Sequence, residues 1–142
     1  MFTLSHPVLF HQTDAAGFVH FAHYYHWMEQ TEHAFLHSLG VPVWQGQEGF
    51  GWPRLQASCQ FKAPIRYGDT VQVHLTLARL DPPSGTVGYH FTFTVASACV
   101  ATGQLEVAYV YLPAAKRRPL PAPLVHYASL SGLVSGPAHD LA

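Results

Sequence analysis

One carboxylate, Asp14, stands in a short loop at residues 12–19, directly ahead of a long stretch with helical periodicity. Backbone N–H groups at a helix start lack intrahelical acceptors, and the positive end of the helix dipole favours negative charge there. A carboxylate beside such donors is a candidate reaction centre. Asp in this position also commonly ends a turn or caps a helix, so the residue alone leaves both roles open. Gly17, in the same loop, permits a backbone conformation closed to other residues. Histidine is the second reactive type, with eleven copies. His33 and His37 are four residues apart, the spacing at which one helical face can chelate a metal. His20, His23 and His26 recur every third residue, which drifts around a helix so that the outer two diverge. With no HExxH run present, no metal site is expected.

These residues need a frame, and the hydrophobic pattern supplies one. Residues 2–12 read as a first strand, which Pro7 confines to an edge or a bulge. From about residue 22 to residue 39, Ala22, Tyr25, Trp27, Met28, Ala34, Phe35, Leu36 and Leu39 recur at helical spacing, with Gly40 as the C-terminal stop. Residues 41–53 hold two prolines and three glycines and read as a loop or lid. Leu55, Ala57, Cys59 and Phe61 then alternate with polar residues. A turn at Tyr67-Gly68-Asp69 leads into Val71, Val73, Leu75 and Leu77, and Asp81-Pro82-Pro83-Ser84-Gly85 turns the chain into Tyr89, Phe91, Phe93 and Val95. The last strand covers about residues 100–112, with Gly103 as an expected kink. The fold class predicted is α+β, an antiparallel meander wrapped around one long helix. Residues 1–112 form the single domain, and residues 113–142 a proline-rich extension that leaves the sheet and holds a short helix near residues 124–134.

Composition narrows the function. A formal net charge of −1, with charged residues at 11%, leaves no footprint for nucleic acid or an anionic membrane. Cys59 and Cys99 lack CxxC spacing and read as small buried hydrophobes rather than a disulfide or zinc set. No basic leader or eighteen-residue apolar run is present, so a cytoplasmic protein is expected. Few charges and many aromatics suggest apolar surface covered by another subunit.

The run Thr13-Asp14-Ala15-Ala16-Gly17-Phe18-Val19-His20-Phe21, followed by Tyr24 or Tyr25, Trp27 and Glu29, resembles hotdog-fold acyl-CoA thioesterases of the 4-hydroxybenzoyl-CoA thioesterase family. The likeness continues through Gly40-Val41-Pro42-Val43-Trp44, Trp52-Pro53, Phe61-Lys62-Ala63-Pro64 and Tyr67-Gly68-Asp69. It implies a sheet curled around the helix, and subunits paired edge to edge as a homodimer or homotetramer with acyl-CoA at their interface. It further implies that Asp14 attacks the thioester or activates water, while the Phe21 backbone N–H polarises the carbonyl. Donors fixed at a helix start suit a developing oxyanion. His20 and His23 are expected beside Asp14, to orient it, donate to the carbonyl or line the acyl pocket.

The departures from that family bear on the substrate. Gln12 stands where many relatives carry a second acid, and Trp52 replaces a small hydroxyl residue of the acyl pocket. Glu29 matches a carboxylate that approaches the far end of an aromatic acyl group, so hydroxybenzoyl-CoA and 1,4-dihydroxy-2-naphthoyl-CoA are both candidates. Coenzyme A phosphates need cations; Lys116, Arg117 and Arg118 are the first candidates, then Lys62 and Arg66, which read as one strand, then Arg54. No cofactor is called for. Two other readings remain: a hotdog 3-hydroxyacyl thioester dehydratase using a His and an acid across the subunit interface, such as His20 and Glu29, and a non-catalytic acyl-CoA binding dimer in which Asp14 only caps.

Overall fold

Alternation in five segments and one helical period produce a sheet with a single inner face and one helix to lay against it. The structure, a computed structural model, describes residues 1–133; the end of the expected C-terminal extension lies outside them. Strand β1 (Phe2–Pro7) is followed by a 3-10 turn at Phe10–Gln12, the helix α1 (Ala22–Ser38), a short strand β2 (Phe50–Gly51) and the strand β3 (Arg54–Phe61). Then come β4 (Thr70–Asp81), β5 (Thr86–Val95), β6 (Ala98–Ala108), two short strands β7 (Val110–Tyr111) and β8 (Lys116–Arg117), and the helix α2 (Ala122–Leu130).

The main sheet is fully antiparallel, in the order β1-β4-β5-β6-β3. The expected meander is therefore broken at one step, because β3 pairs with β6 and not with its successor β4. Residues 62–69 carry the chain between them, tied down on the way: the Lys62 N–H donates to the Val100 carbonyl, the Val19 N–H to Ile65 and the Val8 N–H to Asp69. Ile65 is fully buried in this crossing. Pro7 keeps β1 at the sheet edge as predicted, but the strand stops there, and the Gln12 amide closes the 3-10 turn by accepting the Leu9 N–H.

Helix α1 buries Tyr24, Trp27, Met28, Phe35 and Leu36 on Val71, Val73, Leu75, Tyr89, Phe91 and Phe93. Tyr24, not Tyr25, is on the buried face. At the helix end Gly40, at φ +72°, lets the Val41 N–H reach the Leu36 carbonyl and its own N–H reach His37, closing the last turn. Gly103 is not a kink. It stays in register with Cys59 and Phe91, and a Cβ there would come within 2.9 Å of the Met28 sulfur. Glycine leaves room there for the end of the Met28 side chain, which the helix lays on the sheet at this point. The register shifts fall elsewhere, at Arg54/Gln56, Leu77/Arg79 and Phe93/Thr94.

Two further expectations change. The segment at 41–53 is not all loop, since Phe50–Gly51 pairs with β7 and the Phe50 ring stacks on Tyr109 at 4.7 Å. The charged segment after residue 112 leaves the main sheet but adds β8 to β7, and α2 returns to bury Leu124 and Ala128, with Tyr127 against Phe35. Cys59 is half-buried against Met28, whereas Cys99 is exposed beside the β5–β6 hairpin, contrary to the core role expected for both. Among the described residues no helix is long and apolar enough to cross a membrane.

Two buried polar contacts tie α1 to its neighbours. Glu32, fully buried, accepts from both Arg54 guanidinium nitrogens at 2.6 and 2.8 Å, and Arg54 also meets Glu29 at 3.2 Å. Burial pushes the Glu32 carboxyl up, and the Arg54 hydrogen bonds only partly counter it. His6 stacks on Trp27 and meets the Thr31 hydroxyl at 3.2 Å, and burial holds its pKa down at about 4. Arg54→Met should cost about 3 kcal/mol in urea unfolding at pH 8, because a buried carboxylate loses its partner. The loss should shrink at pH 5, where the orphaned Glu32 takes up a proton; a pH-independent loss would argue against that charge as the cause. His6 is neutral when folded but protonates near pH 6.5 when unfolded, so its stabilisation is complete above pH 6.5 and is lost as pH falls toward 4. That slope, worth about 3 kcal/mol in total, should flatten in His6→Phe, as measured by unfolding midpoints across the range.

Candidate active site

The loop between the 3-10 turn and α1 is a small hydrogen-bonded hook. Gly17, at φ +84°, donates its N–H to the Asp14 carbonyl, the Asp14 N–H donates to Phe18, and Thr13 bridges Val19. One Asp14 carboxylate oxygen, Oδ1, accepts the N–H groups of Ala16 at 2.9 Å and Phe18 at 3.2 Å. The other oxygen has no partner among the described residues. These anchoring amides belong to the loop, not to the first turn of α1 as the sequence suggested. An acceptor fixed through one oxygen has its other oxygen aimed without losing side-chain freedom at each turnover.

The helix start lies across the same hollow. The His20 Nδ1 accepts the Ala22 N–H at 3.2 Å, which places the proton of the neutral ring on Nε2. The ring stacks on Phe21 at 4.6 Å. The Phe21 N–H donates to no group among the described residues. Asp14, Phe18, His20 and Phe21 on one side, with Tyr24, Phe61, Lys62 and Pro64 on the other, surround a depression of about 430 Å³. Asp14, with one carboxylate oxygen unengaged, and Phe21, with its N–H unengaged, thus both line an open hollow of a size that admits a thioester.

His23 sits just behind, ringed by His26 at 5.4 Å and by His11 and His20 at 6.3 Å each. Burial lowers its pKa, and repulsion from His26, His11 and His20 lowers it further, which favours the neutral ring. His11 joins this group from the 3-10 turn, a neighbour that the helical spacing alone did not reveal. No three His, Cys, Asp or Glu side chains among the described residues are arranged to hold a metal ion.

The structure thus brings Asp14, Gly17, His20, Phe21 and Lys62 to one place, with His23 alongside. Arg66 is at the margin, its guanidinium 5.1 Å above the Phe18 ring; it lies in the crossing segment, not on a strand shared with Lys62. Other expected residues lie apart within the chain. Glu29 and Arg54 line a separate recess of about 230 Å³ with Tyr25, His26, Met28, Ala57 and Leu105. Glu29 ion-pairs with Arg54, away from His20 within the chain, and Arg54 is committed to carboxylates. Trp52 is buried against Tyr109 at 4.6 Å under the small sheet. Lys116, Arg117 and Arg118 are on and after β8, with Arg117 donating to Thr86 and Arg118 over Tyr111. Sequence reading missed Glu32, although its place four residues after Met28 and three before Phe35 marks the buried face. It also missed the wall residues Phe18 and Phe61.

A five-stranded antiparallel sheet over one long helix, with an acid-bearing loop at the helix start, defines the hotdog-fold thioester hydrolases. Residues 8–128 match the thioesterase-like superfamily, and the chain belongs to that family. It is 31% identical over 143 residues to a 1,4-dihydroxy-2-naphthoyl-CoA hydrolase of Synechococcus sp. (strain WH7803), covering 93% of this chain and 92% of that protein. With a putative esterase of Aquifex aeolicus it shares 36% over 88 residues, 61% of this chain and 62% of that protein, so this match spans less than two thirds of either. The fold superposes on a 1,4-dihydroxy-2-naphthoyl-CoA thioesterase from Synechocystis with a TM-score of 0.78 at 25% identity, covering 93% and 96% of the two chains. It also superposes on a gentisyl-coenzyme A thioesterase with a TM-score of 0.76 at 28% identity, covering 87% and 98%.

Proposed function

We propose that this chain hydrolyses the thioester of a hydroxylated aromatic acyl-CoA, of the 1,4-dihydroxy-2-naphthoyl type, to the carboxylic acid and free coenzyme A. The observation that carries the reading is the pairing across one depression of a half-anchored Asp14 carboxylate with the unengaged Phe21 N–H. Asp14 acts on the carbonyl carbon as nucleophile, giving with loss of thiolate a mixed anhydride that water then opens to the acid and the free carboxylate, or it acts on water as general base. The Phe21 N–H receives the developing oxyanion, a donor typically worth about 3 kcal/mol in the barrier. The thiolate leaves with the electron pair of the broken C–S bond and takes up a proton. His20, with its Nε2 proton, is placed beside Phe21 to assist at the carbonyl or the leaving group.

Two lines of support bear on the acyl group. Three of the relatives named above, the two 1,4-dihydroxy-2-naphthoyl-CoA enzymes and the gentisyl-coenzyme A thioesterase, are named for thioesters of hydroxylated aromatic acids. The separate recess between α1 and β3 is lined by apolar Met28, Ala57 and Leu105 together with Tyr25, His26, Glu29 and Arg54, a mixture that suits a ring bearing hydroxyls. The bare outer edge of β3, with Leu55 44% and Phe61 51% exposed, is the natural place for a second copy to pair and close the depression.

Release of free thiol from a panel of aliphatic and aromatic acyl-CoAs tests the reading, with dihydroxynaphthoyl- and dihydroxybenzoyl-CoA expected to give the highest kcat/KM. Asp14→Asn should lower kcat by at least about a hundredfold while circular dichroism stays unchanged. Full activity in a folded Asp14→Asn protein would remove Asp14 from the chemistry. Single-turnover hydrolysis in 18O-water and rapid quench together separate the two routes: label in the Asp14 carboxylate, or a trapped acyl–Asp14 anhydride, reports direct attack, and label only in the product with no trapped adduct reports water activation.

A further inference from the structure

Seven cations are available to meet a polyanionic coenzyme, and the structure sorts them. Arg54 is committed to Glu32 and Glu29, and Arg79 to Glu106. Lys116, Arg117 and Arg118 lie beside the β4–β5 turn, where the Arg118 carbonyl packs against Gly85 and its N–H bonds Tyr109. The Asp14 depression lies at the opposite end of β4, whose twelve residues span roughly 36 Å. Within one chain that separation exceeds the pantetheine arm between a thioester and its phosphates. Lys62 and Arg66 remain. Lys62 lines the depression, and Arg66 pairs with no carboxylate among the described residues. The nearest acid in sequence, Asp69, spends Oδ2 on the Arg66 backbone N–H, which fixes the turn and leaves the guanidinium free.

The surface next to Arg66 is aromatic. Phe18 lies beneath the guanidinium, and Tyr67, 64% exposed, meets Phe10, 75% exposed, edge to face at 5.8 Å. Two large rings held together in solvent gain little for the fold, and their exposed π-faces are suited to a planar base. Phe18 lines the depression and lies under Arg66, and the next residue in the chain, Tyr67, holds Phe10.

We propose that the nucleotide end of the coenzyme docks here, its adenine stacked on Tyr67 with Phe10 at the side, and its phosphates on Arg66. Within the chain this site lies within reach of Asp14 where the Lys116–Arg118 cluster does not, and that cluster meets the coenzyme only if a second copy supplies it. The assignment rests on the thioesterase reading, but its test does not need turnover. Adenosine 3′,5′-bisphosphate, titrated by calorimetry, should bind the wild-type protein, and Arg66→Gln and Tyr67→Ala should each weaken it about tenfold. Tyr67→Phe, which keeps the ring, should restore binding. In kinetics, the same two variants should lower kcat/KM for acyl-CoA relative to the matching acyl-pantetheine. If wild-type protein cleaves acyl-CoA yet its bisphosphate affinity ignores Arg66 and Tyr67, or if only the Lys116→Ala, Arg117→Ala, Arg118→Ala triple variant weakens it, the docking site is wrong. If the bisphosphate binds through Arg66 and Tyr67 but no thioester is cleaved, the docking site stands and the hydrolase reading falls.

Discussion

One helix has to cover the inner face of five strands, and most of the molecule follows from that shortage of cover. A helix about 10 Å across shields only two or three strands spaced near 5 Å apart. Helix α1 settles over the middle of the sheet, where Val73, Leu75, Tyr89, Phe91 and Phe93 have no solvent exposure beyond a trace. Strand β3, at the far edge, is left with most of its residues exposed. The space between α1 and β3 is where both hollows open, one at Tyr24 and Phe61, the other at Tyr25 and Ala57. The Arg54 link to Glu32 and Glu29 spans that space and sets its width.

Within this frame the reactive loop owes its geometry to backbone bonds more than to side-chain packing. Asp14 closes its own hook through the Ala16 and Phe18 amides, while the crossing segment holds the hook from below through Ile65 and Arg66. The same crossing that breaks the meander therefore supports the loop, and it brings Lys62 and Arg66 to the mouth. Connection and site are one construction.

Much of this was legible in the residues. The helix announced itself by period and by Gly40; strands β4 and β5 by alternation ending in the Tyr67-Gly68-Asp69 and Asp81–Gly85 turns; and the loop by Asp14 and Gly17. What could not be read was strand order, because alternation fixes which face a residue takes but not which neighbour its backbone bonds. The meander from β3 to β4 failed for that reason. Distances between charges were equally hidden: Lys116–Arg118 and Asp14 lie at opposite ends of β4, and only the fold says so. Gly103 was seen as unusual but for the wrong cause, since a kink and a close crossing leave the same mark in a sequence. Glu32 was overlooked because an acid on an apolar stripe makes sense only once Arg54 is seen to reach it.

Gly103 has a consequence for how this chain can change. A Cβ at that place collides with the Met28 sulfur and also nears the Met28 methyl and the Cys59 sulfur. A residue larger than glycine at 103 therefore requires the end of the Met28 side chain to move aside, while shortening position 28 alone leaves a void over the sheet. The two sites act as one unit of volume shared between helix and strand, so paired exchange is the easiest route to change there. A smaller residue at 28 together with alanine at 103 is the natural first trade.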